Sequence, residues 1–373
     1  AVYPANILPP PYPWPFPMDR EAAIQAYHDM IPADEHKRRR AAGQPPEHTY
    51  EFDKTADKPV TRVQISRVEK LSDLVTLYEF SNPDGAPLPV STAGAHIDVV
   101  VAPEFFRQYS MSHDPADPSK YQIAVLREDL GRGGSLLMAR TFEPGRMVFI
   151  SKPLNHFPLI EDASKTYLMG GGIGVTPMVA MAHRLHAIGA DFTLHYSASK
   201  ADQAAFDQIL KNQPWSDKVS LHYSDQGSRA DLSKILKYAE GAHVYTCGPD
   251  AYMAGVLETA EAGGFPEENR HMEYFSVPEL PEYENHAFTL KLAKSGKTFE
   301  IPADKSPTDV LQDAGVQIDV KCSDGICGVC KCSIVSGDVE HRDFVLSNKQ
   351  RETSLILCQS RAAKAGGVLE IDL

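Results

Sequence analysis

The sequence predicts a multidomain chain, with a small β-barrel first, a doubly wound α/β unit second and a compact α+β unit at the C-terminus. Three observations carry that expectation. Residues 59–158 are short alternating segments separated by turn-formers, the pattern of a small barrel. From about Lys165, strand-like and helix-like runs take turns, which implies a parallel sheet. Five of the six cysteines then crowd into the last 52 of 373 residues.

The first 57 residues stand apart. Residues 1–20 hold seven prolines, favouring an extended, polyproline-like arm, and a short helix is expected from Asp19 to about Met30. Barrel strands are expected at 62–69, 74–80, 95–101, 121–127 and 146–151, with SNPDGAP, HDPADPS and EPG as turns. The α/β unit begins with strand 166–172 and helix 175–189. Strands follow at 191–198, 219–224 and 242–248, with helices near 202–211, 231–239 and 250–262. Residues 250–286 carry nine acids against one base, and 276–286 is expected to be an acidic, semi-extended linker. Residues 287–373 close the chain with strands FTLKLA and KTFEIPA, a helix beginning near Ser306, a cysteine loop and strands near 332–335 and 368–371.

Composition excludes several classes. A formal net charge of −13 argues against a nucleic-acid binder, because phosphate backbones are held by clustered positive charge. No apolar run reaches the roughly 18 residues that span a bilayer. The N-terminus lacks a secretory pattern, so a cytoplasmic location is expected and disulfides are disfavoured.

Cys322, Cys327 and Cys330 are spaced C-x4-C-x2-C, and Cys358 stands beyond a 27-residue gap. That is plant-type [2Fe–2S] spacing: one glycine-bearing loop supplies three thiolates and a distant segment the fourth. Structural zinc prefers paired knuckles and fits poorly. Cys332 is read as a bystander. In the barrel, Arg107, Gln108, Tyr109 and Ser110 follow a strand. Arg107 offers a cationic fork for a phosphate, while Tyr109 can stack on a planar ring and Ser110 can bond its edge. Gly133, Gly134 and Ser135 come at an expected helix start, where free N–H groups suit a phosphate. Gly170–Gly174 lies between a strand and a helix, suited to a pyrophosphate, and the absence of GK[ST] removes phosphate transfer. Cys247, Gly248 and Pro249 end a later strand of the same sheet. His183 and His186 lack metal-type pairing and are read as structural or solvent-facing.

In order, RQYS, GRGGS, GGGIGVTPM, CGPDAYM and the terminal cysteines resemble the phthalate dioxygenase reductase family, within the ferredoxin–NADP reductase superfamily. The likeness covers about 59–373. It implies a flavin-binding barrel (58–160), an NAD-binding α/β domain (161–275) and a β-grasp ferredoxin domain (287–373). It also implies FMN, NADH and a [2Fe–2S] cluster as cofactors, and a terminal oxygenase or demethylase, most simply Rieske-type, as electron acceptor. By position, Arg107, Gln108, Tyr109 and Ser110 would hold the flavin, Gly133, Gly134 and Ser135 would complete its phosphate site, and Ala124 and Val125 would line its ring. Gly171, Gly172 and Thr176 would flank the nicotinamide cofactor, with Cys247, Gly248 and Pro249 near its reacting ring and Phe275 beside the flavin. Ser110, Thr176 and Cys247 are the expected catalytic positions.

Two points leave alternatives open. The family does not generally carry an extension like residues 1–57, so the same electron chain serving a haem-dependent oxygenase, or a subunit fixed in a permanent complex by this arm, remains a competing reading. After the second α/β strand stands Ser197-Ala-Ser199-Lys200; one lysine is ambiguous, and the balance favours NADH over NADPH.

Overall fold

The computed structural model describes residues 60–102, 105–128, 134–275, 283–320 and 323–373. The N-terminal arm with its expected helix, most of the acidic linker, Gly133 and Cys322 therefore lie outside the described residues. Two compact units are present, one running to Met272 and the other covering Glu273–Leu373.

The first unit opens with β1 (Val60–Lys70), β2 (Val75–Ser81), β3 (His96–Ala102), β4 (Phe105–Ser110) and β5 (Tyr121–Leu126). Helix α1 (Gly134–Thr141) and β6 (Met147–Ser151) complete this part. Strand order is β4-β3-β6-β1-β2-β5. The sheet curls until Met111, just past β4, bridges Ile123 of β5, and Ser112 N–H donates to the Gln122 carbonyl at 2.9 Å. A nearly closed antiparallel barrel results, filled by Val63, Ile65, Tyr78, Phe80, Ile97 and Ile123 among others. One expectation changes here. Arg107–Ser110 do not merely follow a strand; they form most of β4, paired with β3 from Ala102 to His96.

The same unit continues with β7 (Lys165–Gly171), α2 (Val175–Ala187), β8 (Phe192–Ala198), α3 (Asp207–Lys211), β9 (Val219–Tyr223), α4 (Leu232–Ile235), β10 (Ala242–Cys247), α5 (Asp250–Ala262) and β11 (Arg270–Glu273). The sheet runs β11-β10-β7-β8-β9, and β10, β7, β8 and β9 are parallel. Strand order thus reverses between β7 and β10, the crevice where open α/β sheets take their ligands. The helices expected near 202–211 and 231–239 shrink to α3 and α4, because Ala201–Gln203 form a separate short 3-10 turn and α4 ends at Ile235. Ala93, Ala124 and Phe157 join residues of α2, β7 and β8 in a shared core, so barrel and sheet are packed together.

The second unit contains β12 (Phe288–Leu292), β13 (Thr298–Ile301), α6 (Pro307–Asp313), β14 (Lys331–Ser336), β15 (Val339–Glu340), α7 (Asn348–Arg351), β16 (Ser354–Ile356), β17 (Arg361–Ala362) and β18 (Val368–Ile371). Its mixed sheet runs β13-β12-β18-β14-β16, with β12 and β18 parallel at its centre. Helix α6 starts with a capping box: Ser306 accepts from Asp309 N–H at 3.1 Å and Asp309 accepts from Ser306 N–H at 3.1 Å. The last residues of the expected linker are tied to this unit. Arg342 donates to the Asn285 side chain at 2.6 Å and the Glu284 carbonyl at 3.3 Å, and lies 4.4 Å from the Tyr283 ring centre.

Candidate functional site

Three groups of residues stand where chemistry was expected. In the barrel, Arg107 and Tyr109 alternate with Gln108 and Ser110 along β4, so each pair shares a face. Tyr109 packs on the barrel core, and burial pushes its phenol up, with Arg107 partly offsetting. Ser110 is buried. Arg107 lies across the start of α1: a Cβ on Gly134 would stand 2.7 Å from the Arg107 Cγ and 2.9 Å from its Nε. That cradle, a guanidinium against a glycine at a helix N-terminus, fits a flavin phosphate. Beside it Ser135 Oγ accepts from Glu128 N–H at 3.0 Å. A cavity of about 240 Å³ adjoins, lined by Thr76, Tyr78, Val125, Arg127 and Ser135 among others. Ala124 and Val125 leave β5 on opposite faces, Val125 into the barrel core and Ala124 into the core shared with the sheet. Their two side chains therefore do not line one ring together.

At the reversal of the parallel sheet, two loops interlock. A Cβ on Gly174 would meet the Cys247 carbonyl oxygen at 2.3 Å and Gly248 N at 2.5 Å. A Cβ on Gly248 would meet the Gly171 backbone at 2.9 Å. Backbone passes backbone without room for a side chain, which leaves the turn open to a pyrophosphate. Gly172 follows at positive φ with open space around it. Thr176 is buried and donates to the Ile173 carbonyl at 3.0 Å, and Cys247 is fully buried at the end of β10. Pro249 lies against Gly171 as well, 3.1 Å from where a Cβ would be. Phe275 is exposed and falls on the C-terminal side of the break after Met272.

In the second unit, Cys327, Cys330 and Cys358 are all buried. Cys358 N–H points to Cys330 Sγ at 3.4 Å, the amide-to-sulfur contact that stabilises ligating thiolates. The loop is held on two sides. Gln359 donates to the Ser323 carbonyl at 2.6 Å, and Phe344 N–H to the Gly325 carbonyl at 3.1 Å. Asp343 in turn accepts from Val345 and Leu346 N–H at 3.2 and 2.8 Å. Gly325 and Gly328 adopt positive φ of 76° and 73°, turning the loop around its thiols. Two buried thiols on a glycine-turned loop, with a third, Cys358, arriving from beyond β16, fit an iron–sulfur cluster. Cys332 stays apart, half-buried against the core, its thiol pushed up to about 11 by burial first and Cys330 second.

Residues 290–363 match the family described as 2Fe-2S iron-sulfur cluster binding domain. The chain is 38% identical over 339 residues to the tert-butanol monooxygenase / tert-amyl alcohol desaturase reductase subunit of Aquincola tertiaricarbonis, covering 87% of this chain and 98% of that protein. A solved phthalate dioxygenase reductase superposes with a TM-score of 0.61 at 37% identity, over 84% of this chain and 98% of that one. The chain belongs to the phthalate dioxygenase reductase family. It is an NAD(P)H-dependent iron–sulfur oxidoreductase, the reductase side of an oxygenase or demethylase system, in a family whose cofactors are FMN, NADH and a [2Fe–2S] cluster. Full-length CYP116B46 from Tepidiphilus thermophilus superposes with a TM-score of 0.75 at 30% identity, over 91% of this chain and 45% of that one. The chain thus spans under half the length of that cytochrome P450.

Beyond the expected residues, the site contains Tyr252 and Ser197, packed at Gly171. Tyr252 sits inside CGPDAYM, three residues beyond Pro249. Among the described residues no helix is long and apolar enough to cross a membrane.

Proposed function

We propose that this reductase takes electrons from NADH and passes them through FMN and a [2Fe–2S] cluster to a separate Rieske-type oxygenase or demethylase. The observation that supports it most is the contact of Cys358 N–H with Cys330 Sγ, two buried cysteines of the C-x4-C-x2-C…C set. It lies within a chain that covers nearly the whole of phthalate dioxygenase reductase, a modular structure for electron transfer from pyridine nucleotides to [2Fe-2S]. When bound, the three cofactors supply the redox chemistry, taking electrons in pairs and releasing them singly.

The chain's own residues bind and orient. Arg107, with Gly133, Gly134 and Ser135, would neutralise the flavin phosphate. Gln108, Tyr109 and Ser110 would hold the isoalloxazine, together with the β5 backbone at Ala124–Val125. Gly171, Gly172 and Thr176 would receive the dinucleotide, with Cys247, Gly248 and Pro249 walling the nicotinamide. Phe275 would cover the flavin. Cys322 would complete the ligand set of Cys327, Cys330 and Cys358. No acid–base side chain is required; exclusion of water and alignment are the protein's share.

A second reading keeps the electron chain and replaces the acceptor with a haem monooxygenase. The TM-score of 0.75 to a cytochrome P450, against 0.61 to phthalate dioxygenase reductase, favours it. An anaerobic visible spectrum titrated with NADH and then NADPH tests the common core. Bleaching of both flavin and long-wavelength iron–sulfur bands under excess NADH is expected; flavin bands without the iron–sulfur contribution would refute it. Turnover with a Rieske oxygenase against a cytochrome P450 separates the two acceptors.

A further inference from the structure

Beside the glycine turn lie two hydroxyls that none of the roles above uses. Ser197, near the carboxyl end of β8, is paired with Gly171 of β7. Tyr252 enters from the first turn of α5, where its N–H donates to the Pro249 carbonyl at 2.9 Å. Its ring lies against the turn, since a Cβ on Gly171 would stand 2.8 Å from the Tyr252 Cδ1. The Tyr252 hydroxyl faces that of Ser197, yet both oxygens are buried without a well-formed hydrogen bond.

Two facing hydroxyls carry two protons. Neither proton finds a well-formed acceptor among the described residues, so both O–H groups are left to donate elsewhere. Buried donors are rarely left unused, because an unmade hydrogen bond there costs its full desolvation. The surroundings select an anionic acceptor: the α2 N-terminus and the open backbone of the glycine turn stand alongside, at the switch point of the sheet. Burial pushes the Tyr252 phenol up to about 12, so it remains a proton donor throughout the neutral range.

We propose that Tyr252 and Ser197 are positioning residues for the dinucleotide, their paired hydroxyls donating to an oxygen of its diphosphate. This deepens the nucleotide-binding reading and rests on it. The residues touch no reacting atom in this assignment; they set how the central portion lies on the turn, and through it where the nicotinamide comes to rest.

The test uses the full holoprotein and its Tyr252→Phe and Ser197→Ala variants, with ADP-ribose as probe. Tyr252→Phe keeps the ring that packs on Gly171, so its unfolding temperature should hold. Calorimetry should show ADP-ribose weakened about tenfold, the range of a lost hydrogen bond to a charged group. Phosphorus NMR should show the bound diphosphate resonances moving towards their free positions. KM for NADH should rise while the rate of flavin reduction at saturation stays the same. Unchanged affinity and resonances in both variants would overturn the assignment, as would a parallel fall in melting temperature and saturating rate without a change in the phosphorus shifts. A wild-type chain that binds no ADP-ribose overturns the nucleotide site itself, and this assignment with it.

Discussion

His113 shows how a single buried side chain sets a property of the whole fold. It stands where β4 runs on into the following hairpin, its Nδ1 accepting from Gln122 N–H at 3.4 Å. Burial depresses its imidazole from 6.5 to about 4, while Asp117 and Asp114 push the other way and Lys120 and His183 add to the fall. A base depressed on folding is neutral in the native state and takes up a proton on unfolding. Its stabilisation is therefore complete above about pH 6.5 and is lost as pH falls from there towards 4, up to roughly 3 kcal/mol. Thermal unfolding between pH 7.5 and 5 should fall less steeply for His113→Gln, whose amide can still accept from Gln122. An equal slope in both proteins would show that another group carries the effect. The cysteines were the residues most legible in sequence, because their spacing is local. Tyr252 and Ser197 were not, since only folding sets them against Gly171.

Among the elements, the strand–turn–helix of β7 and α2 holds the tightest geometry. Its helix was legible from the apolar pattern after Gly174, and the observed Val175–Ala187 falls within the expected 175–189. The reason for glycine at 174 was not legible, because the atoms it avoids belong to the end of β10. Gly174→Ala should force the two loops apart, costing about 1–3 kcal/mol of stability and weakening NAD+ at least about tenfold through misplacement on the turn. A melting curve and a calorimetric titration together check it; wild-type values for both would show that the loops yield freely. Strand β4 was hidden for a related reason. Its sequence FFRQYS breaks into chemistry-bearing residues, and its pairing to β3 outweighs a weak strand signal.

For the molecule as a whole, the separation into two units places the last segment of the acidic stretch. Tyr283–His286 are bound to the C-terminal unit: Arg342 holds Glu284 and Asn285, and Arg361 donates to the His286 carbonyl at 2.9 Å. The remainder of the expected linker, 276–282, precedes them in the sequence. Deleting four residues there should slow reduction of an external one-electron acceptor far more than flavin reduction by NADH, measured by stopped flow; equal slowing of both steps would remove the linker from electron delivery.

The linear order of residues was sufficient for the cluster motif, the alternation that marks barrel and parallel sheet, and the family, because each depends on neighbours a few positions apart. Tertiary structure settled the rest. It brought Gly174 against Cys247–Gly248, laid Arg107 over Gly134, turned Ala124 and Val125 to opposite cores, and set Tyr252 beside Ser197. These pairings follow from strand order and register, which join segments tens of residues apart and which a one-residue slip would reverse.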